Sequence, residues 1–126
     1  MKASFNNIMI YAKDIEKTAE FYVKYFGFKV VSETLASTLA SIKELAPDGG
    51  GSTLLIHQAG KAMKMGQVCI KLVFSVSNVE KFKVQALKKG VKFGVTHEGL
   101  GYYFANAKDP SKNNVQITSR RSSKNA

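Results

Sequence analysis

The sequence predicts an α+β fold made of two copies of one strand–helix–strand–strand–strand unit, and three observations carry that prediction. First, "NNIMIYAKDIEKTAEFYVKYFGFKVV" (6–31) and "KLVFSVSNVEKFKVQALKKGVKF" (71–93) align at one offset. Ile8-Met9-Ile10 falls on Leu72-Val73-Phe74, and Asp14-Ile15-Glu16-Lys17 falls on Asn78-Val79-Glu80-Lys81, a shift of 64 in both cases (72 − 8, 78 − 14). Second, each copy passes from an apolar run into a residue suited to helix N-capping, then to a glycine suited to a left-handed C-cap. Third, each glycine is followed by short runs of β-like composition.

In chain order, the first strand is expected around Ile8–Ile10, with Phe5, Asn7, Met9 and Tyr11 on one face and Ile8 and Ile10 on the other. Asp14 offers its side-chain oxygen to the free amides of the first turn, and the helix is expected over 14–26. Ile15, Ala19, Tyr22 and Phe26 lie on one face of it at helical spacing, and Gly27 ends it. "FKVVSET", "ASIKEL" and "STLLIHQ" are the three following strands. The last of these puts Thr53, Leu55 and His57 on one face. Between the last two, "PDGGGS" (47–52) lacks the Gly-Lys-Ser/Thr and the following helix of a phosphate loop, so it reads as a mobile hairpin loop. "QAGKAMKMGQ" (58–67) is an exposed linker by its Gly, Lys and Met content.

The second copy repeats the plan. Cys69, Lys71, Val73 and Ser75 are expected on one face of its first strand, with Cys69 buried, and a helix over 78–89 runs from Asn78 to Gly90. "KFGVT", "GYYFANA" and "NNVQITS" complete it, the last placing Asn114, Gln116 and Thr118 on one face beside Tyr102 or Tyr103. The basic end, 120–126, has no apolar periodicity and reads as a flexible tail.

Composition bounds the reading. A chain of 126 residues, 44% hydrophobic and 22% charged, is expected to form one domain over 1–119, with module one at about 5–58, a linker at 59–67 and module two at about 68–119. It has no apolar run of bilayer length and no secretion signal, so it is expected to be soluble and cytoplasmic, with no membrane partner. One cysteine excludes an internal disulfide and a four-cysteine zinc site. Nineteen Lys+Arg against nine Asp+Glu give +10, a field that favours anionic partners. The lysines at 61, 64, 81, 83, 88, 89 and 92 fall on linker and helix as a solvated face. With no nucleic-acid motif beside them, nucleic acid is not the expected partner.

The duplicated module, "AKDIEKTAEFYVKYFGF" after the first strand and "FANAKDPSKNNVQI" near the end together resemble the vicinal oxygen chelate superfamily, the glyoxalase, bleomycin-resistance and extradiol-dioxygenase group. The likeness covers about residues 5–119. It implies that the modules form a curved, open mixed sheet with a concave cleft, and that the chain is a homodimer in which modules of two chains complete each cleft. Metal-binding members carry His, Glu or Gln ligands on that concave face. The corresponding positions here are Asn7, about Leu55, Lys71 and Gln116.

Those four depart from a ligand set. An ammonium has three N–H donors and no lone pair, Leu55 offers nothing, and two neutral amides are weak donors to a divalent cation. A rebuilt centre could draw only on His57, which shares a face with Leu55, or on His97 with Glu98, and a lone strand histidine is more often a core or rim residue than a ligand; no Ser-His-Asp or Cys-His constellation can be assembled. The expectation is therefore no metal and no cofactor, and a binding role ahead of a catalytic one. A binding site is expected in the cleft, formed by Asn7, Met9, Tyr11, Leu55, His57, Lys71, Tyr103 and Gln116, for an anionic or amphipathic small molecule with an aromatic part. Drug or metabolite sequestration of the antibiotic-resistance kind is the activity the resemblance implies. A metal-dependent lyase, transferase or dioxygenase with non-standard ligands, and a basic interaction scaffold or nucleic-acid binder, are the alternatives.

Overall fold

The computed structural model describes residues 1–3, 5–35 and 41–120. They form two compact units: Met1–Gln67 with Pro110–Lys112, and Val68–Asp109 with the chain from Asn113 onward. The fold is α+β, and the open mixed sheet takes the form of two four-stranded sheets, one per module.

The first module contains β1 (Asn7–Ala12), α1 (Ile15–Phe26), β2 (Lys29–Leu35), β3 (Ser41–Ala46) and β4 (Thr53–Gln58) in the sheet order β1-β4-β3-β2. β1 runs parallel to β4, and the other neighbours are antiparallel. α1 begins where the sequence placed it: the Asp14 carboxylate accepts the Lys17 amide at 3.0 Å. It ends at Gly27, whose φ of 71° is open to glycine without strain. The apolar stripe buries Ile15, Ala19, Phe21 and Tyr22 against Ile10, Leu45, Leu54 and Ile56, the core of this module. Gly50 (φ 79°) and Gly51 (φ 109°) turn the hairpin between β3 and β4, where the Gly50 amide donates to the Pro47 carbonyl.

Three residues from late in the chain belong to this unit. Ser111 and Thr18 of α1, both buried, join their hydroxyls at 2.8 Å. The linker is held at its start, where the Ala59 amide donates to the Ala12 carbonyl and the Lys13 ammonium donates to the carbonyls of Gly60 and Lys61.

The second module contains β5 (Lys71–Ser75), α2 (Val79–Lys88), β6 (His97–Glu98), β7 (Tyr103–Lys108) and β8 (Asn114–Thr118) in the sheet order β5-β8-β7-β6, the same permutation as the first. Asn78 caps α2 through the Lys81 amide at 2.9 Å. The Val91 amide donates to Ala86 and the Gly90 amide to Leu87, a Schellman end with Gly90 at φ 106°. Leu72, Val79, Ala86, Phe93, Ala105, Val115 and Ile117 form this core. Asp109 closes the β7–β8 turn, its two carboxylate oxygens accepting the backbone and side-chain amides of Asn113 at 2.9 and 3.0 Å.

Two expectations are corrected. "KFGVT" is not a strand: the chain from 91 to 96 touches β7 through one bond, Gly94 amide to Asn106 carbonyl, and pairing begins only at His97. Its Phe93 is spent on the core beside Phe82, which pulls the segment off a regular ladder. Cys69 is exposed, not buried, because β5 starts two residues later and its flanking Val68 and Ile70 are exposed too. The expected tail from 121 lies outside the described residues.

Candidate functional site

Strand alternation gives each sheet one face toward its helix and one face away from it. On the first sheet the outer face carries Asn7, Met9 and Tyr11 of β1, and opposite them Thr53, Leu55 and His57 of β4. Ile42 and Glu44 of β3 continue the rows. Their neighbours Ile10, Ala12, Leu54 and Ile56 are buried, whereas Met9 and Tyr11 are exposed. Tyr11 and His57 pair directly, ring centroids 5.2 Å apart, and His57 Nδ1 lies 2.8 Å from the Gln58 carbonyl. Glu44 takes hydrogen bonds from the hydroxyls of Thr53 (2.9 Å) and Ser32 (3.3 Å).

On the second sheet the outer face carries Lys71, Val73 and Ser75 of β5, Asn114, Gln116 and Thr118 of β8, and Phe104, Asn106 and Lys108 of β7. Its centre is a hydrogen-bonded triad. The Asn106 side-chain carbonyl accepts the Lys71 ammonium at 3.1 Å and the Gln116 amide at 2.9 Å. Beside it, the Lys108 ammonium donates to the Asn114 carbonyl oxygen at 2.5 Å, and the Asn114 amide donates to the carbonyls of Val68 and Ile70. His97 stacks on Phe104 with centroids 5.1 Å apart and planes inclined at 29°.

The structure thus gathers Lys71 and Gln116 through a residue the sequence reading did not single out, Asn106. Asn7, Met9, Tyr11, Leu55 and His57 lie on one face of the first sheet. Tyr103 is the exception. It alternates with Phe104 and so faces the α2 side, where it borders an open depression of about 510 Å³ with Ser77, Asn78, Glu80, Thr96 and Ser119. Phe104 holds the outer-face place expected of Tyr103. The alternation of Ala105 and Ala107 in "FANAK" was the available signal: small apolar residues at period two point to the core, and Asn106 must then point away.

As metal ligands the four family-like positions do not fit. Lys71 contributes a cation, and Gln116 commits its amide to the same oxygen that holds that cation. Leu55 has no donor atom. Among the described residues no three His, Cys, Asp or Glu side chains converge.

Comparison with known proteins agrees with this architecture. The family model for the Glyoxalase/Bleomycin resistance protein/Dioxygenase superfamily matches residues 4–117. Among solved structures, UcmS2 matches at a TM-score of 0.78 with 18% identity, covering 95% of this chain and all of the other. TnmS3, an antibiotic binding protein from Streptomyces sp. CB03234, matches at 0.75 with 20% identity, over 93% of this chain and 96% of its own. The fosfomycin resistance protein FosX from Listeria monocytogenes, complexed with Mn(II) and a dihydroxypropylphosphonic acid, matches at 0.75 with 14% identity, over 99% and 98%. At such identities the likeness is one of fold. No curated protein matches the chain.

Proposed function

Because the chain belongs to the glyoxalase/bleomycin resistance protein/dioxygenase superfamily, we propose that it is a metal-free small-molecule-binding protein that sequesters an anionic ligand with an aromatic part. The observation that carries this reading is the Lys71–Asn106–Gln116 triad. At a place where metal-binding relatives are expected to offer a ligand, this chain holds an ammonium by one neutral oxygen. A fixed cation attracts the carboxylate of a ligand and repels a divalent metal. Two N–H groups of the ammonium are left to receive that carboxylate. Phe104, with His97 stacked on it, is an aromatic surface on the same sheet face.

The antibiotic-binding neighbour of like fold supports sequestration over turnover. No nucleophile–base pair stands beside Lys71 among the described hydrogen bonds. A cytoplasmic homodimer is part of the proposal. No helix among the described residues is long and apolar enough to cross a membrane.

Titration of benzoate by calorimetry tests it. Lys71→Met should weaken binding by the worth of a charge-assisted hydrogen bond, about 1.5–3 kcal/mol, with the fold intact. Equal affinity in both proteins, or no binding in either, removes Lys71 from the site. A native mass spectrum of freshly purified protein reports oligomer state and bound metal together, and a stoichiometric divalent metal would overturn the metal-free reading.

A further inference from the structure

The outer face of the second sheet carries more positive charge than one anchoring lysine requires. Lys71, Asn114 and Lys108 form one row across β5, β8 and β7. Neither lysine has a carboxylate partner among the described residues, and no Asp or Glu stands on this face of the three strands. Each ammonium is instead steered by an amide: Lys71 by Asn106 and Lys108 by Asn114. Asn106 and Asn114 are diagonal neighbours on adjacent strands, which sets their side chains on the order of 7–8 Å apart. Each ammonium is therefore held on the same sheet face by a neutral acceptor, and the two acceptors are diagonal neighbours. Each has spent one N–H and retains two. Along β7, Phe104 stands two residues from Asn106 on the same face, about 6.8 Å away at strand rise.

We propose that Lys71 and Lys108 together form a two-cation cradle for a dianionic oxyanion, a phosphate monoester on an aromatic group, with the ring laid toward Phe104. This rests on the binding reading above and names its ligand class. Tetrahedral oxygens can take one ammonium each and leave the amides of Asn114 and Gln116 in place, whereas a single carboxylate is fully served by Lys71. Charge complementarity sets the preference: a monoester carries close to two negative charges above its second pKa of about 6.

The probes are phenyl phosphate and benzoate, titrated calorimetrically into the full chain at pH 8. Phenyl phosphate is expected to bind wild type at least tenfold more tightly than benzoate. Lys108→Met should erase that preference while leaving benzoate within about threefold, and Lys108→Gln, which keeps a polar side chain without the charge, should do the same. An unchanged thermal midpoint shows that these variants fold, and whichever of the two keeps it decides. If phenyl phosphate shows no preference, or if the preference survives in the folded variants, the cradle is wrong even where benzoate binding still depends on Lys71. Failure of both probes to bind wild type overturns the cradle and the binding reading together.

Discussion

The two modules share one strand permutation and one pair of helix caps, yet their outer sheet faces are chemically unlike. Position for position, Asn7, Leu55 and Glu44 of the first stand where Lys71, Gln116 and Asn106 stand in the second, by pairing rather than by sequence alone. Each module keeps a hydrogen-bond acceptor on its third strand. In the first, Glu44 is a carboxylate answered by the hydroxyls of Ser32 and Thr53. In the second, Asn106 is a neutral amide answered by an ammonium and an amide. The carboxylate of one module is thus held by hydroxyls of its own sheet, whereas the acceptor of the other holds a cation. A duplicated frame preserves the place of an acceptor while its charge, and so its use, changes.

The helices differ in the same direction. α1 buries Ile15, Thr18, Ala19, Phe21 and Tyr22, while α2 buries only Val79 and Ala86 and leaves Val84 and Leu87 exposed. Removing one aromatic from each helix should separate them most widely. Tyr22→Ala, at a fully buried site, should cost about 3–5 kcal/mol in urea unfolding. Phe82→Ala, at a half-buried site, should cost on the order of 1–2. Equal losses would show that α2 is as firmly seated as α1.

A second pair sharpens the contrast between faces. Asn106→Leu releases the Lys71 ammonium from its acceptor and should weaken benzoate binding by about 1.5–3 kcal/mol. Glu44→Leu should leave it unchanged. A response to both substitutions, or to neither, would end the claim that Asn106 positions the cation.

The smallest effect is a matter of pH. Lys43 of β3 lies 2.8 Å from Glu16 of α1 and 3.1 Å from Glu33 of β2. Its hydrogen bond to Glu16 raises its pKa most, burial pulls the other way, and the bond to Glu33 and the charges of both carboxylates add to the rise. A folded value above the unfolded one means that this stability is fully present below the ordinary lysine value and is lost as pH climbs through the raised one. The carboxylates are 74% and 64% exposed, so the contribution is about 0–1 kcal/mol. Melting temperatures of wild type and Lys43→Met should differ by a constant small amount up to mildly alkaline pH and converge above the lysine range. A gap that persists there would mean that the side chain acts through packing alone.

Much of this was legible in the residues because it depends on local rules. Asp14, Asn78, Gly27 and Gly90 announce the helix ends through backbone chemistry that needs no tertiary partner. The resemblance to the superfamily marked Leu55, Lys71 and Gln116, and period-two counting from such positions adds Met9, Tyr11 and His57. What was not legible depends on where a strand begins and which parity it keeps. Cys69 sits in an apolar run that reads as strand, but pairing starts at Lys71, so its burial was misjudged. Tyr103 and Phe104 are adjacent aromatics of equal strand propensity, so neither ring gives the parity, which the small residues Ala105 and Ala107 carry and the pairing of Phe104 with Thr118 shows. Asn106 and Lys108 acquire meaning from cross-strand neighbours that no sequence window contains.

The hydroxyl pair of Thr18 and Ser111 has a consequence for the order in which the chain can fold. The two residues are 93 apart in sequence, and both are buried. A ribosome delivers α1 and its sheet long before Ser111 exists, so the emerging first module lacks this hydrogen bond, worth about 0.5–1.5 kcal/mol. That module is completed only by a segment synthesised near the end, which couples its final closure to the last stage of translation. High sequence separation of this kind slows folding, since the loop must close before the bond is made. A truncation ending before Pro110 would therefore leave the first module short of its native stability although none of its strands or its helix is removed.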